Sequence, residues 1–163
     1  MHEEKTNVMR ILDQRKVPYT PHQYPHDPGE AVDGATVAAL TGQDPARVFK
    51  TLVTRGASKA NYVFVLPVLA GLDLKKAAKA VGEKSIEMIH VKELTPLTGY
   101  VRGGCSPVGM KKRLPTVFHR SALDHGTILV SAGKIGSQVE CAPEDLAGLV
   151  GGGFADLARS EEP

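Results

Sequence analysis

Two runs of β-branched and aromatic residues, separated by a short polar segment, constrain the fold of this 163-residue chain more than any other feature. The runs are VFKTLVTRG (48–56) and NYVFVLPVL (61–69), and they flank GASKA (56–60). Apolar runs of this length on either side of a glycine-containing turn are typical of a β-hairpin. The sequence therefore predicts an antiparallel pair of strands in the first half of the chain.

Helical and extended patterns surround this hairpin without regular alternation. Residues 17–30 contain four prolines within eleven residues, which forbids a helix there and favours extended chain. Helices are predicted over 5–16, 34–40, 72–82 and 142–151, with a helical turn at 92–94. Further strands are predicted over 85–91, 115–119, 127–133 and 138–142. The expected fold class is α+β, with a mixed sheet.

Length and composition favour one ordinary globular domain. We expect a single domain over 1–163, with its core in 5–150 and a tail in 151–163 whose acidic end, SEEP, frays. No stretch of 18 apolar residues could cross a membrane, and MHEEKTNVMR lacks the apolar region of a signal peptide. The two cysteines form no C-x-x-C pair. These features predict a cytoplasmic protein.

The charge balance argues against strong non-specific binding to DNA or RNA. The formal net charge is +2, which still allows a local basic patch. Aromatic residues make up 5% of the chain and tryptophan is absent, so the stacking platforms of single-strand binding proteins are not expected.

The segment GGCSPVGMKKR (103–113) has some features of a phosphate-binding loop. It fails the P-loop pattern because Met110 occupies the lysine position and Lys111 the hydroxyl position. Gly103 and Gly104 still allow the backbone to approach a ligand closely. The basic residues that follow, Lys111, Lys112 and Arg113, could bind phosphate. The alternative is a tight turn followed by a solvated basic stretch.

The histidines and cysteines do not form an obvious catalytic or metal-binding pattern. His22 and His26 are four residues apart, but neighbouring prolines exclude the helix that would bring them together. We therefore expect no metal. Cys105 could act as a nucleophile with His119 or His125 as its base, or it could simply be a small packed residue.

Lys50 is the most informative polar residue, because it interrupts a run that otherwise has the pattern of a buried strand. With a period of two it shares a face with Val48 and Leu52. An isolated buried ammonium group is costly. The side chain must therefore reach solvent from an edge strand, find a partner, or face a cavity that receives an anion or a carbonyl group.

Several segments together resemble the YbaK/EbsC family of aminoacyl-tRNA deacylases, which is related to the editing domain of bacterial prolyl-tRNA synthetases. The resemblance spans about residues 5–150, and within the family it points to the Cys-tRNA(Pro) deacylase type. The segments that carry it are VFKTLV (48–53), LDLKKAA (72–78), TGYVRGGCSP (98–107), GMKK (109–112), VSAGK (130–134) and ECAPEDL (140–146).

The resemblance also implies roles for individual residues. It makes Lys50 the essential lysine of the pocket, and Gly103 and Gly104 the backbone donors that polarise the ester carbonyl. A side chain at Gly103 is then expected to block activity with little loss of stability. Substrate-binding residues are expected at Tyr24, Thr51, Ser106 and Ser131, and tRNA contacts at Lys111, Lys112 and Arg113. Many relatives carry an aromatic residue where this chain has Asp33, a departure that changes the contacts expected to the terminal adenosine on that side.

The function implied by the resemblance is editing in trans of mischarged tRNA, typically removal of cysteine from tRNA(Pro) and, in some relatives, from tRNA(Cys). The thiol of the substrate attacks its own ester, so that neither an enzyme nucleophile nor a cofactor is needed. The expected curled sheet is barrel-like with flanking helices, and the expected partners are the acceptor end of tRNA and prolyl-tRNA synthetase. Two alternatives remain: an editor of alanine or serine, and a non-catalytic module that binds tRNA or nucleotide.

Overall fold

The computed structural model describes residues 5–27 and 30–159. Its helices are α1 Asn7–Gln14, α2 Gly34–Thr41, α3 Leu74–Val81, α4 Val91–Thr98 and α5 Pro143–Val150. Its strands are β1 Thr20–Gln23, β2 Phe49–Gly56, β3 Asn61–Pro67, β4 Ile86–Met88, β5 Thr116–His119, β6 Ile128–Ser131, β7 Ser137–Cys141 and β8 Gly153–Ala155. Short 3-10 helices cover Pro45–Arg47 and Arg120–Asp124.

The strands form two sheets, and the predicted hairpin of β2 and β3 lies within the larger one. The five-stranded sheet has the order β4-β2-β3-β5-β8, with antiparallel pairing from β4 to β3 and parallel pairing from β3 to β8. The three-stranded sheet, β1-β7-β6, is antiparallel. The predicted α+β class with a mixed sheet is therefore confirmed, although the described strands do not close into a barrel.

One hydrophobic core lies between the two sheets and another lies on the outer face of the larger sheet. Strand β3 contributes to both, because Val63 and Val65 point to the inner core while Phe64 and Leu66 point to the outer one. Helices α1 and α5 pack on the inner core and α3 covers the outer one. Within the described ranges, no helix has the length and hydropathy that crossing a bilayer requires.

Capping residues explain most of the predicted helix boundaries. The side chain of Asp33 accepts a hydrogen bond at the start of α2, and that of Asp73 does the same for α3. Gly42 and Gly82 end these helices in the left-handed conformation. The helical turn predicted at 92–94 is in fact a full helix, α4, which begins after His90, where the side chain of Glu93 accepts a bond from the His90 N–H.

The segment after α5 is more ordered than the sequence suggests. Its glycines end the helix as expected, but residues 153–155 then add β8 to the larger sheet beside β5. Leu157, which follows, is fully buried in the outer core. The acidic end SEEP lies outside the described residues, as do residues 1–4 of the N-terminal segment and two residues, 28 and 29, of the proline-rich segment.

Glu140 on β7 joins the two sheets through charge-assisted hydrogen bonds. Its carboxylate accepts bonds from Thr127 at 2.6 Å, from Arg47 at 2.7 Å and from His22 at 2.8 Å. These bonds lower the pKa of Glu140 to about 2, chiefly through the hydroxyl of Thr127. Arg47 directly precedes the parallel bridge between Val48 and Leu129 that connects β2 to β6. The carboxylate therefore fixes the entry into β2, the strand that carries Lys50.

We expect Glu140→Gln to lower the free energy of unfolding at pH 7 by about 1–3 kcal/mol, since hydrogen bonds to a charged group are lost or weakened. The folded-state pKa lies below the ordinary value of 4.5, so the carboxylate stabilises the fold above that value. This contribution is lost as the pH falls toward 2. Urea unfolding of the wild-type protein at decreasing pH should show this fall in the free energy of unfolding. Glu140→Gln should show a smaller fall. The exposed Glu144 supplies the control, Glu144→Gln. Identical pH profiles for wild type and Glu140→Gln would contradict the role of Glu140.

Candidate active site

A cleft of about 430 Å³ opens where the start of β2 meets the ends of β6 and β7. The start of α2 and the glycine loop at 102–105 form its other walls. Of the residues singled out from the sequence, the cleft brings together Tyr24, Lys50, Thr51, Gly103, Cys105 and Ser131.

Lys50 is half-buried in this cleft and has no carboxylate partner. Its Nζ donates one long hydrogen bond, 3.4 Å, to the carbonyl oxygen of Val68. Within residues 5–27 and 30–159, no Asp or Glu lies within ion-pair distance of it. Burial lowers the pKa of the ammonium group. An ammonium group has three N–H donors, so the side chain keeps donors for a ligand in the cleft.

The N–H of Gly103 has no hydrogen-bond acceptor in the part of the chain that the structure describes. Its φ is +86°, a conformation that side chains disfavour. A Cβ on it would come within 2.6 Å of the Cβ of Ala31. The expectation that a valine here costs little stability is therefore wrong, because the substitution strains the backbone and pushes the side chain against Ala31.

Gly104 does not offer a second donor to a carbonyl group. Its N–H is already bonded to the carbonyl oxygen of Val101 at 2.9 Å, which closes a turn in the loop. The residue is needed for packing instead, since a Cβ on it would lie 3.0 Å from the backbone of Lys134 and Ile135. The expected role of Gly104 in polarising a carbonyl group is thus corrected to a role in placing Gly103.

The remaining predicted binding residues divide into cleft residues and a structural one. Tyr24 is buried and lines the cleft, and its own N–H is fixed by the carbonyl oxygen of Gly136. Ser131 lines the cleft while its hydroxyl oxygen accepts a bond from the N–H of Gly133. Ser106 does not line the cleft: it is fully buried and accepts a bond from the N–H of Val108. The substrate-binding role expected for Ser106 is therefore replaced by one in shaping the loop.

Two polar atoms in the cleft walls are buried without a hydrogen-bond partner among the described residues: Oγ1 of Thr51 and Oε1 of Gln138. Burying such an atom unpaired costs free energy, and a ligand that donates to it recovers that cost. Gln138 was missed by the sequence analysis. The predicted strands at 127–133 and 138–142 could have identified Gln138. When they pair as they do in the structure, Gln138 lies opposite Ser131.

Two charged residues border the cleft with different consequences. Arg102, which the sequence analysis also missed, is exposed and lines the cleft directly before Gly103. Its position in the sequence next to the loop glycines could have identified it as a candidate site residue. Asp33 is engaged in capping α2, where its carboxylate accepts bonds at 2.8 Å from both the N–H and the hydroxyl of Thr36. These bonds lower the pKa of Asp33, so the side chain is a charged cap at the rim.

The basic segment lies outside the cleft. Lys111, Lys112 and Arg113 are exposed, and none of them lines the cleft walls. Lys112 and Arg113 instead border a separate groove beside α5. The segment is therefore placed to contact a ligand that extends beyond the cleft rather than the group bound within it.

Neither cysteine has the environment of a nucleophile. Burial raises the pKa of Cys105 to about 12, and that of Cys141 also to about 12. Cys105 lines the cleft, but neither of its two expected bases, His119 or His125, does so. His119 instead accepts a hydrogen bond from the N–H of Leu157 at 3.0 Å. Burial also lowers the pKa of His119. The thiol next to the cleft is therefore held in its neutral form.

The described residues provide no metal site. Within 5–27 and 30–159, no three His, Cys, Asp or Glu side chains come together in a way that could hold an ion. His22 is bound to Glu140 and His26 contacts the carbonyl oxygen of Asp27, so the two histidines have separate partners.

Comparison with known proteins identifies the family. The family model for the aminoacyl-tRNA editing domain matches residues 29–149. EbsC of Enterococcus faecalis (strain ATCC 700802 / V583), described as a candidate Cys-tRNA(Pro)/Cys-tRNA(Cys) deacylase, is 45% identical over 159 residues. That alignment covers 98% of this chain and 96% of EbsC.

Solved structures show the same fold at lower identity. A candidate trans-editing enzyme for prolyl tRNA synthetase is 23% identical with a TM-score of 0.81, over 98% of this chain and 100% of the other. The hypothetical protein APE2540 is 23% identical with a TM-score of 0.83, over 96% of this chain and 100% of APE2540. The family match and the near full-length relative confirm the resemblance found in the sequence, and the chain belongs to the aminoacyl-tRNA editing domain family.

Proposed function

We propose that this protein is a free-standing editing deacylase that removes cysteine from mischarged tRNA, tRNA(Pro) in particular. The observation that carries the proposal is the cleft, whose walls contain a half-buried ammonium group and a backbone N–H. Among the described residues, the first has no carboxylate partner and the second has no acceptor. Such a site suits a substrate with oxygen acceptors, such as an ester, phosphate or ribose. The relationship to EbsC, at 45% identity over nearly the whole chain, supports the same activity.

In the mechanism we propose, the cleft binds the terminal adenosine together with its aminoacyl ester. The N–H of Gly103 donates to the carbonyl oxygen, and Lys50 donates to the ribose hydroxyls or the phosphate. The unpaired oxygens of Thr51 and Gln138 accept hydrogen bonds from the substrate. These contacts hold the ester in one orientation and stabilise negative charge on its oxygen as the carbonyl carbon is attacked.

The nucleophile is the thiol of the substrate itself. Its sulfur bonds to the carbonyl carbon, the bond from that carbon to the ribose oxygen breaks, and the ribose oxygen takes up the proton. The products are a cyclic thiolactone and tRNA with a free terminal hydroxyl. No side chain forms a bond to the substrate, which agrees with a cleft whose cysteine is neutral.

In this proposal, recognition of the tRNA body uses cations at the cleft wall and beyond it. Arg102 lies at the cleft wall, and Lys111, Lys112 and Arg113 continue from the same loop. Contacts from such side chains to phosphates set the position of the acceptor stem without reading its sequence. With a net charge of +2 the affinity should be modest and fall with salt. We propose that prolyl-tRNA synthetase, in the cytoplasm, presents the mischarged tRNA.

Deacylation of a panel of mischarged tRNAs tests the proposed substrate. Cys-tRNA(Pro) and Cys-tRNA(Cys) should be cleaved faster than Ala-tRNA(Pro) and Ser-tRNA(Pro), as followed by loss of labelled amino acid. Faster release of alanine or serine would identify an editor of different specificity. Binding of tRNA without any release would identify a non-catalytic module.

Lys50→Ala should lower kcat/KM for Cys-tRNA(Pro) by at least about 100-fold, because a preorganised donor to the reacting group is lost. The melting temperature should stay the same or rise, since a half-buried charge without a carboxylate partner is removed. The matched control is Lys75→Ala, which removes an exposed lysine on α3. Wild-type activity in a folded Lys50→Ala protein, checked by circular dichroism, would refute the role of Lys50.

Cys105→Ala and Cys141→Ala should each keep most of the activity, because neither sulfur takes part in the reaction. Ser-tRNA(Pro) should be cleaved far more slowly than Cys-tRNA(Pro), since a hydroxyl is much less ionised than a thiol with an ordinary pKa near 8.5. Single-turnover deacylation measures both effects. An inactive Cys105→Ala, together with a cysteinyl thioester on the wild-type enzyme in mass spectrometry, would instead show that the enzyme supplies the nucleophile.

A further inference from the structure

Residues 156–159, which follow β8, have no role in the mechanism above, although several elements of the protein hold them in place. Leu157 is fully buried in the outer core, and its N–H donates to Nδ1 of His119 at 3.0 Å. The Nζ of Lys76 on α3 donates to the carbonyl oxygen of Ala158 at 2.8 Å. This segment, called the strap below, is therefore bound to both β5 and α3.

The strap also holds the loop between β3 and α3, residues 68–73. The N–H of Arg159 donates to the carbonyl oxygen of Gly71 at 2.9 Å, and its Nε donates to that of Leu72 at 3.2 Å. A carbonyl oxygen of the strap accepts a bond from the N–H of Asp73 at 2.8 Å. The end of the loop next to α3 is thus attached to the strap by three hydrogen bonds.

The other end of this loop is part of the cleft. Val68 lines the cleft wall, and its N–H donates to the carbonyl oxygen of Val48 at 2.9 Å. A Cβ on Gly34 would lie 2.4 Å from the side chain of Val68, so the start of α2 packs directly on this residue. The carbonyl oxygen of Val68 accepts the hydrogen bond from Lys50. The loop that binds the ammonium group is therefore held by the start of β2 at one end and by the strap at the other.

We propose that the strap positions Lys50, by holding the loop whose Val68 carbonyl group orients the ammonium group in the cleft. The inference rests on the proposed function, in which Lys50 donates to the substrate. Peptide units are planar, so a short loop held at both ends leaves the carbonyl groups between them few orientations. Packing adds little in the middle of this loop, because Leu69 is 65% exposed. Residues of the strap do not touch the substrate and act through Val68.

Lys76 and Arg159 allow the strap to be loosened without emptying a core, since neither side chain is buried. Lys76→Met keeps the aliphatic stem but removes the donor to Ala158 and the ammonium group that lies 3.0 Å from the carboxylate of Asp156. Arg159→Ala removes the side-chain donor to the loop. Lys75→Met is the matched control, because it removes an exposed lysine from the same helix.

The first measurement follows Lys50 itself and needs no tRNA. The protein is labelled with 13C-lysine, and the signal of Lys50, identified by its absence in Lys50→Ala, is titrated with pH by NMR. A loosened loop admits water to the ammonium group, so Lys76→Met and Arg159→Ala should each raise the pKa of Lys50 toward its ordinary value of 10.5. Lys75→Met should leave this pKa at the wild-type value. Because the control also removes one positive charge, it accounts for long-range electrostatic effects.

The second measurement is single-turnover deacylation of Cys-tRNA(Pro). Lys76→Met and Arg159→Ala should each lower the rate by about tenfold, since a misplaced donor no longer fits the reacting group. Lys75→Met should stay within about twofold of wild type. In a Lys50→Ala background the same two variants should have no further effect, because the group that they position is absent. A general loss of structure would instead lower the rate by the same factor in both backgrounds.

The two measurements separate this inference from the proposed function. An unchanged pKa of Lys50 in both strap variants, with folding checked by circular dichroism, would overturn the inference alone. Equal losses of rate with and without Lys50 would also overturn it. If wild type failed to release cysteine from tRNA, the proposed function would be wrong, and the NMR titration would still decide whether the strap positions Lys50.

Discussion

The position of β2 between two cores is the constraint on which the rest of the structure depends. Phe49 and Val53 pack into the inner core, and Leu52 packs against the outer one. On one edge β3 pairs along almost the whole strand, whereas on the other edge β4 pairs only with 54–56. The first half of β2 is therefore left open along that edge. The cleft forms there, and Lys50 and Thr51 are the polar residues of β2 that line it.

The polar groups of the cleft lower the stability of the protein, and interactions elsewhere in the structure compensate for this loss. Burial removes water from the ammonium group of Lys50 and so lowers its pKa. The long hydrogen bond to the carbonyl oxygen of Val68 offsets this loss of hydration only in part. Two buried oxygens, on Thr51 and Gln138, also have no hydrogen-bond partner among the residues that the structure describes. The network around Glu140 and the two well-packed cores hold β2 in place in spite of these groups. Groups that destabilise the free protein and match a ligand are typical of functional sites.

Local signals in the sequence were sufficient for most of the helices and strands but not for the hydrogen bonding of individual backbone groups. The hairpin around GASKA, the caps at Asp33 and Asp73 and the inward face of Lys50 follow from residues close together in the chain. The strand at 153–155 could not be predicted, because it depends on an edge that β5 offers from far away in sequence. The engagement of the Gly104 N–H and the burial of Ser106 depend on how the loop folds back on itself. The motif identified the loop, and the structure showed that of its two glycines Gly103, and not Gly104, keeps an N–H without a partner among the described residues.

Cys105 shows how the fold keeps an enzyme that acts on a thiol substrate from reacting through its own thiol. Cys105 lines the cleft in the same loop as Gly103, whose N–H binds the ester carbonyl in the proposed mechanism. Burial raises its pKa to about 12, so that at neutral pH only about one molecule in 100,000 carries the thiolate. A substrate thiol with an ordinary pKa near 8.5 is a few per cent ionised under the same conditions. In the proposed mechanism this difference in ionisation favours attack by the substrate thiol over attack by Cys105. The burial that packs the loop therefore fits the proposed mechanism, in which the substrate supplies the nucleophile.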